Sequence, residues 1–486
     1  MVSQIKELLF QNKGTKQTAA KNIFWLTTSE LVSRFIRGFV LIYAARVLGT
    51  ASYGVFSYAL GLASLFTIFA DIGLIQILTR EVSKRPEEKS AYFATTFWIK
   101  IILLLPAAAL VVFVAPHFSK IEGARAIIPF MALLVIFDGL REFSLSYFRG
   151  IERMELQALV TVTTNIAITI AGFAILYFTA SAKALAIVYA LSAGIGAITA
   201  IVLLRDQFLN IFKNFQRKLV KAILRPAIPI LFTSMLGAFM LNTDILMLGW
   251  FRTAEEIGLY SAGQKVIQIL YTLPAILASA TFPILSRAVG DRNHERVRNL
   301  TERMMSLVFL IAIPIVIGGF ILATPFIQFI FGAQFLGTIP SFQILLFTLL
   351  ISYPTMIISN YVLAHDKQQQ MARAYGVAAF ANIFLNLLLI PPFGIIGSSV
   401  ATVIAQISTN GIIWHMAKKI NNFYTMRYLK KIIVAAAIMG ALNILMNNLE
   451  VQVMVNIGIS AMLYFALLYI FKERLLVEAV DAIKKI

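Results

Sequence analysis

Apolar residues fall in long blocks along this chain, separated by short charged segments. Fourteen blocks stand out: 22–45, 53–76, 91–115, 126–148, 157–179, 184–204, 226–250, 258–284, 304–323, 339–364, 372–390, 395–416, 432–449 and 451–471. Most match the ~20 residues a helix needs to cross a hydrocarbon core of ~30 Å. The connecting segments sort by charge when they are placed alternately in and out, starting with the N-terminus inside. The inner segments, counting Arg373 at the lip of its block, hold 32 Lys and Arg against 14 Asp and Glu. The outer segments hold 5 against 4, and the blocks 5 against 5. That puts +18 of the formal +19 on one side, which is the positive-inside pattern. The expected fold class is an all-α polytopic membrane protein with about 14 transmembrane helices, in the cell inner (cytoplasmic) membrane, with both termini cytoplasmic.

Composition changes this picture little. Hydrophobic residues make up 59% and charged residues 13%, with a mean hydropathy of +0.83. A pI near 10.0 would suggest nucleic acid for a soluble protein. Here basic loops that orient the chain and face anionic lipid account for it, so no nucleic-acid partner is expected. The absence of cysteine excludes disulfides, thiol catalysis and thiolate metal sites. His117, His294, His365 and His415 have no ligand-like spacing, so no metal is expected. The first 21 residues are polar, with Lys6, Lys13, Lys16 and Lys21, and the block after them carries Arg34 and Arg37. It reads as a retained first span rather than a cleaved leader.

The longest inner connection, 205–225, carries Arg205, Lys213, Arg217, Lys218, Lys221 and Arg225, with Phe208, Ile211, Phe212, Phe215 and Leu219 at helical spacing. It is expected to be an amphipathic linker helix on the membrane surface. It separates an N-lobe, 1–204, from a C-lobe, 226–416. Residues 417–486 would then add a hairpin of two spans and an amphipathic cytoplasmic tail from 472 onward. Two internal echoes support a duplication. Gly54-Val55-Phe56-Ser57 opens the second block and Gly258-Leu259-Tyr260-Ser261 the eighth, while Asn165-Ile166 and Asn382-Ile383 lie in the fifth and eleventh. The outer connections are short. The longest, 324–338, has no acid, base or nucleophile pair, so transport is expected rather than catalysis.

Ten ionisable residues lie within the blocks: Glu30, Arg34, Arg37, Asp71, Lys100, Asp138, Arg141, Glu142, Asp244 and Lys265. Each costs about 2.5–3.5 kcal/mol on insertion scales and needs a partner or a wet cavity. Glu30, Arg34 and Arg37 form one stripe by their i, i+4, i+7 spacing. Asp71 and Lys100 flank one inner loop at matching depth, and Asp138 and Arg141 stand at i, i+3 at about that depth. These groups are expected to converge on one polar cavity in the N-lobe. Asp244 and Lys265, equidistant from a tight outer turn, make a second candidate pair. The balanced pairs read equally as salt bridges that lock helices. Arg34 and Arg37, with Glu30 as the one acid near both, point to an anionic ligand, because guanidinium forks bind phosphate oxygens bidentately. Glu142, near the inner surface, is expected to be solvated or to snorkel. Asn382 and Asn386, at i, i+4, are expected to bridge helices. Pro274, Pro283, Pro314, Pro325, Pro354, Pro391 and Pro392 mark bending points in the second half.

Several strings resemble the polysaccharide-repeat flippase family of the multidrug/oligosaccharidyl-lipid/polysaccharide exporter superfamily. They are RVLGTASYGVFS at 46–57, DIGL at 71–74, TRE at 79–81, RGIER at 149–153, NTDILMLG at 242–249, IGLYSAGQK at 257–265 and NIFLNLLLIPPFGIIGSSVAT at 382–402. The resemblance implies two pseudo-symmetric six-helix lobes around a central cavity with alternating access. The implied activity is flipping of a polyprenyl-pyrophosphate-linked oligosaccharide to the outer leaflet for surface polysaccharide. It also implies that Arg34, Arg37, Lys100, Arg141 and Lys265 hold the pyrophosphate. Glu30, Asp71, Asp138, Asp244, Asn382 and Asn386 are the candidates for ion coupling or gating, with no cofactor beyond Na⁺ or H⁺ coupling. The expected partners are the lipid-linked substrate, membrane lipid, a polysaccharide polymerase and glycosyltransferases, around a monomer. A cation-coupled multidrug antiporter and a lipid II-type flippase for peptidoglycan share the architecture and stay open as alternatives.

Overall fold

The computed structural model describes residues 14–291, 293–424, 429–473 and 475–476. Most of the expected C-terminal tail, from 477 onward, lies outside the described residues. Among them the regular structure is entirely helical. Ten helices are long and apolar enough to cross a membrane. Their outward faces carry large apolar side chains, such as Phe39 (64% exposed), Ile170 (68%) and Phe380 (71%). In water each would forgo ~1.5–3 kcal/mol of burial, so a hydrocarbon surround is what makes this surface stable. The chain is a multi-pass membrane protein.

Two of the ten are double-length. α1 (Thr15–Phe69) holds the first block and most of the second on either side of Gly49, whose φ of 75° breaks the helix. Gly394, with φ 56°, breaks another long helix, Gln368–Ile420, just after Pro391 and Pro392. Proline removes a backbone donor and clashes with the preceding turn, so the expected bend falls where the two prolines stand. The helices between are α2 (Leu74–Lys84), α3 (Lys89–Phe113), α4 (Ile128–Gly150), α5 (Met154–Phe178), α6 (Ala182–Leu203), α7 (Arg217–Phe251), α8 (Ala254–Leu270), α9 (Thr272–Gly290), α10 (His294–Ile321) and α11 (Ile339–Ala364). Gln368–Ile420 is α12, followed by α13 (Leu429–Asn448) and α14 (Val453–Ile470). These labels number helices rather than crossings. α4 is long enough to cross but is not among the ten, because Asp138, Arg141 and Glu142 interrupt its apolar run.

The second block does not continue as one helix. It stops at Phe69, and Ile72 (φ 43°) and Gly73 (φ 86°) turn the chain before α2 starts. A β-branched residue at positive φ is strained by ~1–3 kcal/mol. The Asp71 carboxylate holds the turn by accepting from the Gly73 N–H at 3.3 Å. The sequence offers no proline here, so the break is invisible to hydropathy.

The chain forms two compact units, Met1–Gly258 and Leu259–Ile486. In the first, Phe93, Phe97, Phe143, Tyr147 and Phe208 pack edge-on or tilted at centroid distances of 4.9–5.7 Å. Phe208 belongs to the linker and draws it onto α3. The expected single linker helix, 205–225, is therefore broken: a one-turn helix at Arg205–Leu209, turns, then the start of α7. The Gln216 N–H donates to Thr95 Oγ1 at 3.1 Å and fixes the second corner.

Also in the first unit, α1 meets the start of α8 backbone to backbone. A Cβ at Gly54 would lie 1.7 Å from the Ala254 carbonyl oxygen, and one at Gly258 would lie 1.9 Å from that of Thr50. Thr50 and Ala254, like Gly54 and Gly258, are 204 positions apart. The contact is reciprocal under that shift, as an isologous contact between repeats must be.

In the second unit, α13 and α14 form the expected hairpin. Ser460 Oγ donates to Asn443 Oδ1 at 2.5 Å and Asn456 Nδ2 to the Asn443 carbonyl at 3.3 Å. Tyr464 ties the hairpin to α10 by donating to the Leu310 carbonyl at 2.8 Å.

Candidate functional site

The charges of the first unit assemble on α1, the turn at residues 70–73, α3 and α4. Lys100 Nζ lies 3.4 Å from Asp71 Oδ1, so the pair expected from matching depth forms. It also interacts electrostatically with Asp138 and Glu142. Lys100 is 1% exposed. Gly139 of α4 lets α3 approach closely, since a Cβ there would stand 2.8 Å from Leu104 Cδ1, one turn from Lys100.

Arg141 Nη2 reaches Asp138 Oδ1 at 2.6 Å and Glu142 Oε1 at 2.9 Å, and its Nε reaches the same Asp138 oxygen at 3.0 Å. Glu142, its side chain 35% exposed, is thus a second carboxylate on Arg141, a partner that its place near the inner surface did not indicate. One turn of α4 places residues 138, 141 and 142 on one side, and a planar fork can serve two acids there. The stem of Arg141 passes Gly196 of α6, where a Cβ would come within 3.0 Å of its Cδ. Arg141 also interacts electrostatically with Glu30 of α1.

Arg34 and Arg37 do not share Glu30. Arg34 Nε donates to Glu30 Oε1 at 2.7 Å, with side chains 47% and 56% exposed. Arg37 turns to α5, where its Nε donates to Asn165 Oδ1 at 3.0 Å. Asn165 is buried, with its amide nitrogen held by the Thr161 carbonyl at 2.7 Å. Among the described residues no carboxylate lies within 4.0 Å of Arg37. The stripe is exposed on a particular side. At about 100° per residue, Val32 (41% exposed), Phe35 (51%) and Phe39 (64%) face roughly opposite to Glu30, Arg34 and Arg37. The apolar stripe marks the lipid side, so the charged stripe opens on a different space.

The remaining candidates stand elsewhere. Asp244, 4% exposed, belongs to α7 in the first unit. Lys265 belongs to α8 in the second, where its Nζ donates to Gln268 Oε1 at 3.2 Å. Asn382 and Asn386 are buried on α12, and Asn386 Nδ2 donates to the Asn382 carbonyl at 2.9 Å and to its Oδ1 at 3.1 Å. That bond runs along one helix.

Two polar groupings were not foreseen. Lys21, 2% exposed, meets Glu155 at 2.9 Å, and Arg153 also bonds Glu155, fastening the start of α1 to the start of α5. In the second unit Tyr271 donates to Thr348 at 2.5 Å, and Gln406 accepts from Ser352 at 2.8 Å while donating to Tyr271 at 3.2 Å. Lys21 sits in a polar tail and reads as an orienting charge, and scattered hydroxyl and amide residues do not lower a span's mean hydropathy enough to stand out.

A profile of the polysaccharide biosynthesis protein family matches residues 19–289, more than half of the chain. The chain belongs to that family. A MatE profile matches residues 229–388. Among curated relatives, this member of the family is 23% identical over 446 residues to a protein named a probable low-salt glycan biosynthesis flippase, Agl15, of Haloferax volcanii, covering 88% of this chain and 91% of that one. It is 20% identical over 394 residues to the capsular polysaccharide biosynthesis protein CapF of Staphylococcus aureus, covering 79% and 96%. Among solved structures it superposes on an inward closed conformation of the lipid II flippase MurJ with a TM-score of 0.74 at 20% identity, over 93% and 99% of the two chains. The fold is the one that MurJ shares with the MATE transporters.

Proposed function

We propose that this protein is a flippase that moves a polyprenyl-pyrophosphate-linked oligosaccharide from the cytoplasmic to the outer leaflet, for surface polysaccharide synthesis. The observation that carries this reading is the exposed cationic stripe of α1, turned away from the lipid-facing apolar stripe, with Arg37 held by an amide. A neutral acceptor orients the guanidinium without cancelling its charge. The terminal nitrogens are left to bind phosphate oxygens. Arg34, one turn away and exposed, supplies a second fork that exchanges Glu30 for the diphosphate. Lys100 and Arg141 are already matched by carboxylates and serve as locks. The relatives' names, a glycan flippase and a capsular polysaccharide protein, support the substrate class. The +18 imbalance supports an inner-membrane orientation with both termini inside.

Arg37→Ala is expected to weaken substrate binding ~10–100-fold, since a hydrogen bond to a charged group contributes ~1.5–3 kcal/mol. Arg34→Ala should cost less, and the double variant should abolish export of surface polysaccharide at unchanged membrane levels of the protein. Surface glycan staining in cells that rely on this exporter reads the outcome. Normal export by the double variant would sink the reading.

A further inference from the structure

The first two turns of α7 carry a second cationic site, away from the α1 stripe. Arg217, Lys221 and Arg225 follow each other at i, i+4 and i+8 and line a shallow, open groove of about 680 Å³ along the outer face of the helix. Phe215, Val220, Leu224 and Ile228 form its apolar wall. The opposite face of the same turns, with Leu219, Ile223 and Ala227, is buried in the core of the first unit. The groove is therefore held by a rigid, docked helix.

Three features specify what fits it. Among the described residues none of the three cations has a carboxylate within 4.0 Å, and the acid of the linker, Asp206, is paired with Arg205 at 3.6 Å. Arg217, in the first turn of α7, also opposes the helix dipole, so an anion beside it relieves two unfavourable terms at once. The groove's wall is apolar and open, which suits a hydrocarbon chain lying beside the charges. Finally, Leu209 (79% exposed) and Phe212 (78%) project from the preceding turns. Such side chains insert at the boundary of headgroups and acyl chains, which puts the three cations at headgroup depth.

We propose that this groove is a binding site for an anionic glycerophospholipid of the leaflet that the linker faces. The phosphodiester sits on Arg217, Lys221 and Arg225, and one acyl chain lies along Phe215, Val220, Leu224 and Ile228. A zwitterionic lipid offers the same phosphate but adds a cation among three others, so it is disfavoured.

The test is native mass spectrometry of the purified full-length protein, titrated with dioleoylphosphatidylglycerol or dioleoylphosphatidylcholine. The phosphatidylglycerol adduct is expected to form preferentially, and R217Q/K221Q/R225Q to weaken it ~100-fold, from roughly a fivefold loss per basic contact. R217K/R225K, which keeps all three charges, should retain most of the binding. All substituted side chains are exposed, so the unfolding midpoint without lipid should match that of the unaltered chain. Glycerophosphoglycerol, the headgroup without chains, should not compete. The proposal fails if the triple variant binds phosphatidylglycerol as the unaltered chain does, or if both lipids bind the unaltered chain equally. Displacement of the lipid by millimolar inorganic phosphate would overturn it in favour of a free-phosphate site.

Discussion

Gly54→Ala is expected to deplete the folded protein, although it adds a single methyl group. The new Cβ would stand 1.7 Å from the Ala254 carbonyl oxygen and 2.7 Å from the Gly258 nitrogen. Both obstacles are backbone, so no side-chain rotation relieves the clash and the helices must part. Overpacking typically costs ~1–3 kcal/mol, and contact with backbone on both sides puts this change at or above the upper end. Gly258→Ala should behave alike, because its Cβ meets the Thr50 carbonyl at 1.9 Å. The two should be strongly non-additive, since once the helices have separated for one methyl the second has room. Gly411→Ala and Gly458→Ala are the controls: nothing lies within 4 Å of either added atom. Replacing a mid-helix glycine there should be neutral or stabilising by ~0.5–1 kcal/mol. Thermal unfolding of the detergent-solubilised protein checks all four. Equal midpoints for Gly54→Ala and Gly411→Ala would mean that this helix contact is not tight in the native state.

What the sequence discloses here is what repeats or sorts. Block length and loop charge give the all-helical membrane fold, and the Gly54 and Gly258 strings point to the helix crossing where those glycines pack. Equal distance from a loop brings Asp71 to Lys100, because a helix converts sequence distance into depth at a fixed rise. Direction around the helix and partner choice are harder to read. Arg37 and Arg34 look equivalent on a helical wheel, yet Arg37 takes Asn165, 128 positions away, and Arg34 takes Glu30. One asparagine does not interrupt an apolar span, and Asn165 stands out only as an echo of Asn382, so nothing marked it as the acceptor for Arg37. Glu142 conceals its partner for a related reason. Its depth near the inner surface allowed solvation, and only the geometry of α4 shows that the Arg141 fork reaches two carboxylates at once. The break after Phe69 is set by two left-handed residues, one of them an isoleucine, which composition would not nominate.

Arg141→Ala is expected to destabilise the protein by ~1–3 kcal/mol, the cost of leaving charged groups without their partner, and less than for a fully buried pair because both carboxylates are 35% exposed. It leaves Asp138 and Glu142 facing each other with no cation between them, and empties the space beside Gly196. Arg141→Lys keeps the charge but cannot fork to both acids, so it should recover part of the loss. Lys100→Met strands a single acid, Asp71, which keeps its bond from the Gly73 N–H, and should cost less. The decisive comparison is the fully neutral lock, D138N/R141Q/E142Q. Removing all three charges together avoids the stranded carboxylates, so its unfolding midpoint should lie well above that of Arg141→Ala. If Arg141 is a lock and Arg37 the phosphate ligand, this triple variant keeps polysaccharide export while Arg37→Ala, at normal stability, loses it. The opposite pattern, a stable triple variant without export and an Arg37→Ala variant with it, would move the anion site from α1 to α4. Both outcomes are read from the same two measurements, unfolding in detergent and glycan at the cell surface, so stability and binding cannot be mistaken for each other.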